Sequence, residues 1–402
     1  MCDQVAGNEK LRYGHANSSE KSNQPPKPVT VWAVTKACNL HCVHCYASAT
    51  DGPDPNELTH AEGIALLDDL KAFGVPAVLF SGGEPLVRPD TPELIAHAVK
   101  IGLPATLSTN GLLIDDAMAD RLANLGLKYI GISLDGLAAT HDKLRGEAGA
   151  FERTLAAIDR CKVRGIKVGV RFTVHALNHT ELDGLFDLCL THHVDRLCMY
   201  HLAYAGRGQG LARVDLTGPQ TRLVMERLIN RTRQCHQSGR PLEVLTVGNS
   251  ADAGFVLLWT ERHMPEKYEA VKKRLEGTGG NQSGNFIAAI DPVGQVHYDQ
   301  FSWHYHCGNI RQQPFSAIWS NPADQRLKQL RDRVEYLPQR CQSCQFIGVC
   351  NGNLRSRAEQ ATGDWMGVDP ACYLRPEERE ALAPTPAELV ESFSAMHMPF
   401  TD

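Results

Sequence analysis

The sequence lacks a long uninterrupted apolar stretch, so no segment of it predicts a membrane span. Its first thirty residues are polar and lack the apolar centre of a signal peptide. The formal net charge of −5 gives no general basic field of the kind that attracts nucleic acid. These absences predict a cytoplasmic protein that binds neither a membrane nor nucleic acid.

Cysteine, in contrast, is abundant, with thirteen residues in the chain. Seven of them fall into two groups, which are Cys38, Cys42 and Cys45 near the start and Cys341, Cys344, Cys350 and Cys372 near the end. Because nothing indicates secretion, this grouping favours metal or redox chemistry over a disulfide framework. Cys161, Cys189 and Cys198 lie in apolar patterns and are predicted to be ordinary buried residues.

Short apolar runs alternate with amphipathic stretches over the first part of the chain, and six strand-then-helix units can be counted. The predicted strands are 31–35, 75–80, 105–108, 129–134, 168–174 and 196–202. Such alternation favours a parallel sheet with helices outside it, and right-handed crossovers make successive units curl in one direction. A closed barrel needs eight units, so six predict an α/β fold with a partial (β/α)6 barrel. A doubly wound open sheet stays an alternative.

The composition divides the chain into five predicted segments. They are a flexible N-terminal arm (1–30), the partial barrel (31–238), a bridging segment (239–300), a small cysteine-rich domain (301–375) and a tail (376–402). The cysteine-rich domain is expected to depend on metal for part of its stability.

The first cysteine group follows the first predicted strand, at the end of the barrel where such enzymes keep their chemistry. Its three thiolates, from Cys38, Cys42 and Cys45, can hold a [4Fe–4S] cluster and leave one iron open for a ligand. A zinc site that includes His41 or His44 is the alternative. A closed zinc site usually pairs two Cys-x2-Cys units, and no second unit lies nearby.

The spacing Cys-x3-Cys-x2-Cys, followed by Phe80-Ser81-Gly82-Gly83-Glu84-Pro85, resembles the radical S-adenosylmethionine (SAM) superfamily. The resemblance implies that SAM chelates the open iron and that electron injection cleaves it to a 5′-deoxyadenosyl radical. It also implies SAM-binding residues. They are Gly82, Gly83 and Glu84 at the methionine end, His44 near adenine, and Ser108, Ser133 and Arg145 at the hydroxyls or the carboxylate.

The second cysteine group supplies four thiolates, which complete a [4Fe–4S] cluster or suit structural zinc equally well. It resembles the SPASM extension of radical SAM enzymes, although Leu354 stands where that family has a further cysteine. This departure implies one auxiliary cluster, ligated by Cys341, Cys344, Cys350 and Cys372, with Cys307 as a possible substitute ligand. The implied cofactors are two [4Fe–4S] clusters and SAM, with an electron donor such as a flavodoxin or ferredoxin.

Three further segments resemble the branch of the family that acts in haem d1 biosynthesis. They are Met199-Tyr200-His201-Leu202 through Gly206-Arg207-Gly208, Tyr298-Asp299-Gln300-Phe301, and Gly363-Asp364-Trp365 through Cys372-Tyr373. The resemblance implies removal of propionate side chains from a tetrapyrrole of the 12,18-didecarboxysirohaem type.

A flat, carboxylate-rimmed substrate needs cationic and aromatic side chains around it. The candidates are Arg171 and Arg207 for carboxylates, Tyr200, Trp303 and Tyr305 for the ring face, and His201, His304 and His306 for the substrate iron. The alternatives are a radical SAM decarboxylase of coprohaem propionates, a peptide maturase, and a zinc-stabilised binding protein without catalysis.

Overall fold

The computed structural model describes residues 25–380. Most of the predicted N-terminal arm (1–24, with Cys2) and of the tail (381–402) lies outside the described residues. Among the helices of the described part, none combines the length and apolarity that crossing a membrane requires.

One ten-stranded sheet organises the molecule, in the order β10-β9-β8-β1-β2-β3-β4-β5-β6-β7. The strands are β1 (Val29–Ala33), β2 (Val78–Ser81), β3 (Ala105–Thr109), β4 (Tyr129–Ser133), β5 (Lys167–Val174), β6 (Arg196–His201), β7 (Glu243–Val247), β8 (Ile287–Ile290), β9 (Gln295–His297) and β10 (Gly308–Asn309). Neighbours from β8 through β7 pair in parallel, whereas β9 and β10 are antiparallel additions. The pairing begins at β10 and ends at β7, which gives an open, partial barrel.

The predicted α/β architecture is confirmed, and the six predicted strands correspond to β1–β6. The parallel part nevertheless has eight strands, because β7 pairs with β6 and β8 pairs with β1. The sequence analysis missed β7, and it placed the residues of β8 and β9 in a bridging segment (239–300) rather than in the barrel. Since β8 lies beside β1, the C-terminal part of the chain continues the barrel sheet.

Helices cover the outer side of the sheet. The longer ones are His60–Phe73, Thr91–Lys100, Asp116–Asn124, Ala138–Arg145, Ala150–Val163, Leu182–Thr191, Gly218–Gln237, Ala251–His263, Tyr268–Thr278 and Arg355–Thr362. Short helices follow at Phe315–Ser320, Gln325–Arg331, Gln339–Gln342, Ile347–Cys350 and Pro376–Arg379. Thr59 with Glu62, and Thr217 with Gln220, form reciprocal capping boxes that fix where two of the longest helices begin.

The core lies between the sheet and these helices and includes the fully buried rings of Trp32, Phe80 and Phe172. Beyond β9, the elements are too short to supply a core of the same size. Three buried arginines, Arg333, Arg355 and Arg357, hold this region together mainly by donating to backbone carbonyls and side-chain oxygens. A guanidinium suits this role because its five N–H groups can join several loops at once.

The concave face of the sheet carries the candidate site, and a pair of glycines makes room on it. Gly131 on β4 and Gly169 on β5 are register partners. A Cβ atom on Gly131 would collide with the guanidinium of Arg171, and one on Gly169 would collide with the hydroxyl of Tyr129. Because both residues lack a side chain, Arg171 and Tyr129 can extend over the inner face of the sheet.

Candidate active site

The loop that carries Cys38, Cys42 and Cys45 follows β1 and is fastened to three other parts of the fold. Cys38 N–H donates to Thr50 O at 2.8 Å, and Val43 N–H donates to Leu144 O at 3.0 Å. The Arg207 guanidinium donates to Cys42 O at 2.9 Å and to Ala49 O at 2.7 Å, and the Arg207 backbone N–H donates to Cys45 O at 2.9 Å. The loop is thus held in place by its backbone, which leaves the thiols free for a ligand.

Arg207 thus holds the cysteine loop in place, and it does not line the cavity described below. Its Nε and Nη1 donate to loop carbonyls, whereas its Nη2 is buried without a hydrogen-bond partner among the described residues. Its predicted contact with a substrate carboxylate stays a prediction.

A cavity of about 170 Å³ opens at the C-terminal ends of β1–β6. It collects most of the predicted site residues, which are Cys38, Cys42, Cys45, His44, Gly82, Gly83, Ser108, Ser133, Arg145, Arg171, Tyr200 and His201. Residues 108, 133 and 171 lie on neighbouring strands, where Ser133 is the register partner of Arg171. The parallel strands therefore bring together groups that are far apart in the sequence.

Asp135, which the sequence analysis did not single out, is the anionic centre of this site. Its fully buried carboxylate lies 3.0 Å from His44 Nε2, accepts from the Arg145 guanidinium, and accepts from Thr173 N–H at 2.8 Å. Burial alone raises the pKa of Asp135, but Arg145 and His44 outweigh it and hold that pKa far below its ordinary value. The second Arg145 nitrogen is 3.6 Å from the Cys42 sulfur, so Asp135 also positions a cation against the cysteine loop.

Glu84 lies beneath the cavity wall and does not line it. Its fully buried carboxylate accepts from Asn110 N–H and Thr109 Oγ1, both at 2.8 Å, and from Leu86 N–H at 3.1 Å. It thereby joins the loop after β2 to the end of β3. Its predicted contact with an ammonium group of SAM stays a prediction.

Gly82 and Gly83 do line the cavity, but their lack of side chains serves the protein itself. A Cβ on either would collide with backbone oxygens of residues 35–37 after β1. The two glycines thus let the loops after β1 and β2 pack together.

The remaining substrate candidates divide into those that line the cavity and those that do not. Tyr200 and His201 line it, and His201 Nε2 is 3.0 Å from Asp252 Oδ2. The ring of Trp303 contacts that of Tyr46 edge-on, with ring centroids 6.5 Å apart. The hydroxyl of Tyr305 donates to the Asp324 carboxylate. His304 pairs with Glu359 at 2.7 Å, and His306 is exposed.

None of Trp303, Tyr305, His304 and His306 lines the cavity, so their roles toward a substrate stay predictions. The sequence analysis also missed Tyr46 and Phe301, which supply aromatic lining with ring centroids 5.3 Å apart.

The second cysteine group converges at the other end of the chain. Burial is the main reason why the pKa of Cys350 is raised. Neighbouring acidic groups raise it further, and they are Cys372, Asp369, Cys341 and Cys344. Cys307 instead has Asp324, Arg331 and Arg326 as its charged neighbours. Cys341, Cys344 and Cys372 are thus electrostatic neighbours of Cys350, whereas Cys307 has a separate set of charged neighbours. The four-cysteine ligand set stays a prediction.

Several known proteins are similar to this chain. Residues 32–189 match the family model of the radical SAM superfamily, and residues 283–345 match that of SPASM, an iron–sulfur cluster-binding domain. The Fe-coproporphyrin III synthase of Methanosarcina barkeri is 44% identical, over 94% of this chain and 96% of the relative. The pre-heme d1 synthase of Dinoroseobacter shibae is 44% identical, over 88% of each chain. The chain belongs to the radical SAM superfamily.

The fold of this radical SAM enzyme is also that of solved structures. SuiB of Streptococcus suis bound to S-adenosylmethionine has a TM-score of 0.67 at 18% identity, over 87% of this chain and 77% of that chain. The enzyme uses SAM and iron–sulfur clusters, as its radical SAM and SPASM domains require.

The residues present fit these cofactors. Three cysteines facing one cavity suit an open-site cluster, and four convergent cysteines suit a closed one. Burial raises the pKa of Cys38 to about 12, and metal ligation is what deprotonates such a thiol. His44, Ser133 and Arg145 lie on the same cavity wall, where they could hold SAM.

The zinc alternative fits less well. Three thiolates leave a tetrahedral zinc ion one ligand short, and the matched SPASM domain is an iron–sulfur cluster-binding domain. These two points favour clusters over zinc.

Replacing Asp135 tests the anionic centre. We expect Asp135→Asn to destabilise the protein by about 3–5 kcal/mol, because Arg145 would be left as a buried cation without its counter-charge. Thermal unfolding of the anaerobically purified protein measures this effect. Asp51→Asn is the matched control, since Asp51 pairs with His41 on the exposed side of the same loop. Equal unfolding temperatures for the two variants would contradict the assignment.

Iron content tests the two cysteine groups. The anaerobically reconstituted chain should hold about eight irons, and Cys350→Ala should hold about four, because a closed cluster loses a ligand. Cys307→Ala is the control and should keep all of its iron. Loss of iron from the Cys307 variant would mean that Cys307, not Cys350, completes the ligand set.

Proposed function

We propose that this radical SAM enzyme modifies the side chains of an iron tetrapyrrole of the 12,18-didecarboxysirohaem type, and that it removes two propionate groups. The observation that carries the proposal is a half-buried cation, Arg171, which faces the cavity without a carboxylate partner among the described residues. The fold supplies the radical chemistry common to the superfamily, so the substrate class has to be argued from the cavity itself.

Arg171 lies on β5 and lines the cavity. It donates to Ser108 Oγ, and its electrostatic neighbours are the hydroxyl and thiol groups of Tyr200, Tyr129, Cys198 and Tyr46. No ion pair joins it to a carboxylate of residues 25–380. A guanidinium that faces a cavity without a counter-anion is suited to bind a substrate carboxylate, which would also fix the orientation of the substrate.

The rest of the lining suits a flat and largely apolar body. Tyr46, Tyr200 and Phe301 present aromatic rings beside Leu202 and Ala203. Aromatic and aliphatic side chains of this kind suit the apolar face of a macrocycle.

The names of the relatives support the same substrate class. Both proteins at 44% identity are named for tetrapyrrole synthesis, and an AdoMet-dependent heme synthase of Methanosarcina barkeri is 31% identical over 87% of this chain. The PqqA peptide cyclase of Granulibacter bethesdensis is 27% identical, so a peptide substrate has weaker support.

A second candidate product has specific support. The Fe-coproporphyrin III synthase equals the pre-heme d1 synthase in identity and covers more of the chain. An iron coproporphyrin keeps its propionates, so this alternative requires loss of the shorter acetate chains of the same substrate. Formation of vinyl groups from coprohaem propionates is the third option.

When bound, the reduced cluster and SAM supply a 5′-deoxyadenosyl radical able to abstract an unactivated hydrogen. The protein's own contribution is placement: Arg171 holds a carboxylate, the aromatic rings hold the macrocycle, and the buried walls exclude water. The electron comes from an external donor, for which a flavodoxin or ferredoxin stays our prediction.

Product mass tests the proposal. The chain is incubated without oxygen with SAM, a strong reductant and 12,18-didecarboxysirohaem, and we expect a product that has lost two propionate side chains. Loss of two acetate chains would instead identify the coproporphyrin route, and the two products differ by two methylene groups. Coprohaem in a parallel reaction is expected to stay unchanged, and its conversion to vinyl groups would identify the decarboxylase. No change in any tetrapyrrole would contradict the proposal.

Replacing Arg171 tests the observation behind it. We expect Arg171→Met to weaken tetrapyrrole binding by about 10- to 100-fold, as the loss of a charge-assisted hydrogen bond does. Visible-absorbance titration measures this affinity, and SAM affinity should stay unchanged. Arg121→Met, on a half-exposed surface arginine, is the control. If Arg171→Met weakens SAM binding and leaves tetrapyrrole binding unchanged, Arg171 belongs to the SAM site instead.

A further inference from the structure

One wall of the cavity follows directly from the end of β6. Residues 201–205, here called the β6 wall, all line the cavity. Tyr204 within it has a φ of 55°, a left-handed conformation that a tyrosine rarely adopts. Such a conformation persists only where surrounding contacts impose it, so the contacts that hold the β6 wall matter for its shape.

The first contact comes from Arg357, a fully buried residue of the C-terminal region. One of its nitrogens donates to Leu202 O in the β6 wall at 2.9 Å, and two others bind the Asp369 carboxylate, each at 2.8 Å. Asp369 in turn accepts from Ala371 N–H at 2.9 Å, and its carbonyl accepts from Cys372 N–H at 3.1 Å. Leu202 is thereby linked to the chain just before Cys372.

The second contact links the β6 wall to the residue that follows Cys372. His201 Nε2 is 3.0 Å from Asp252 Oδ2, and Tyr373 donates its hydroxyl to Asp252 Oδ1 at 2.7 Å. All three side chains are buried. Tyr373 directly follows Cys372, so His201 is linked to the chain just after that cysteine.

We infer that the Cys372 loop sets the shape of the substrate cavity, with Arg357, Asp252 and Tyr373 as positioning residues for the β6 wall. Anchoring Cys372 to the second metal centre fixes Asp369 and Tyr373 on either side of it. Two buried hydrogen-bonded connections then carry that constraint to residues 201 and 202. The second cysteine group therefore has a role in substrate placement that is separate from any movement of electrons.

Amide hydrogen exchange tests this inference on the iron-loaded chain without any substrate. We expect Tyr373→Phe and Arg357→Lys to raise exchange in the peptide that covers residues 199–206 by about tenfold, since each removes a buried hydrogen bond. Phenylalanine keeps the ring of Tyr373, and lysine keeps the charge of Arg357 but lacks its fork of donors. Cys372→Ala should loosen the same peptide.

Arg311→Lys is the matched control. Arg311 makes a comparably close bidentate pair with Glu62, at 2.6 and 3.0 Å, and also joins the helix His60–Phe73 to the C-terminal part of the chain. It does not line the cavity. Exchange in residues 199–206 should therefore stay at the level of the unmodified protein. Equal exchange in all of these variants would overturn the inference.

Affinity provides a second readout, which rests on the proposed function. In Tyr373→Phe and Arg357→Lys, the Kd for 12,18-didecarboxysirohaem should rise about tenfold while the Kd for SAM stays unchanged. General destabilisation would raise both constants, and that result would count against a positioning role. If the unmodified protein binds no tetrapyrrole, the proposed function fails, while the exchange result still decides the inference.

Discussion

The site depends on one buried carboxylate, that of Asp135. It joins the loop of Cys38, Cys42 and Cys45 to the sheet through His44, Arg145 and the backbone of Thr173. Removing a carboxylate from water is unfavourable, and only its paired cation and hydrogen bonds offset that cost. The radical SAM loop is therefore held in place by electrostatics inside the barrel as well as by the backbone contacts of Arg207.

The arginines near the cavity fall into two classes, and the contrast between them supports a division of labour. Arg145 and Arg357 each bind a buried carboxylate of the protein, so their charge is already neutralised. Arg171 binds only a serine hydroxyl in the residues that the structure describes. Arg145 and Arg357 therefore stabilise the walls, whereas Arg171, which lines the cavity without a carboxylate partner, is suited to an anionic substrate.

Sequence patterns predicted the repeated strand-helix units and the positions of both cysteine groups, because periodicity and ligand spacing are local. They did not predict β7 or Asp135, whose importance arises only when distant strands become neighbours. Arg207 and Tyr305 were predicted to bind substrate from their residue type, but residue type does not determine where a side chain points in the fold. In the fold, one is hydrogen-bonded to the cysteine loop and the other to Asp324. Whether Glu84 also meets SAM depends on contacts that a sequence pattern cannot specify.

The position of β8 has a consequence for dissecting the molecule. β1 lies between β2 and β8, and its partners Ile287 to Ile290 come from more than 250 residues later in the chain. A fragment that ended at residue 238 would leave one side of β1 with unpaired N–H and C=O groups. Such a bare edge invites pairing with other chains, so the isolated N-terminal fragment would be prone to aggregate.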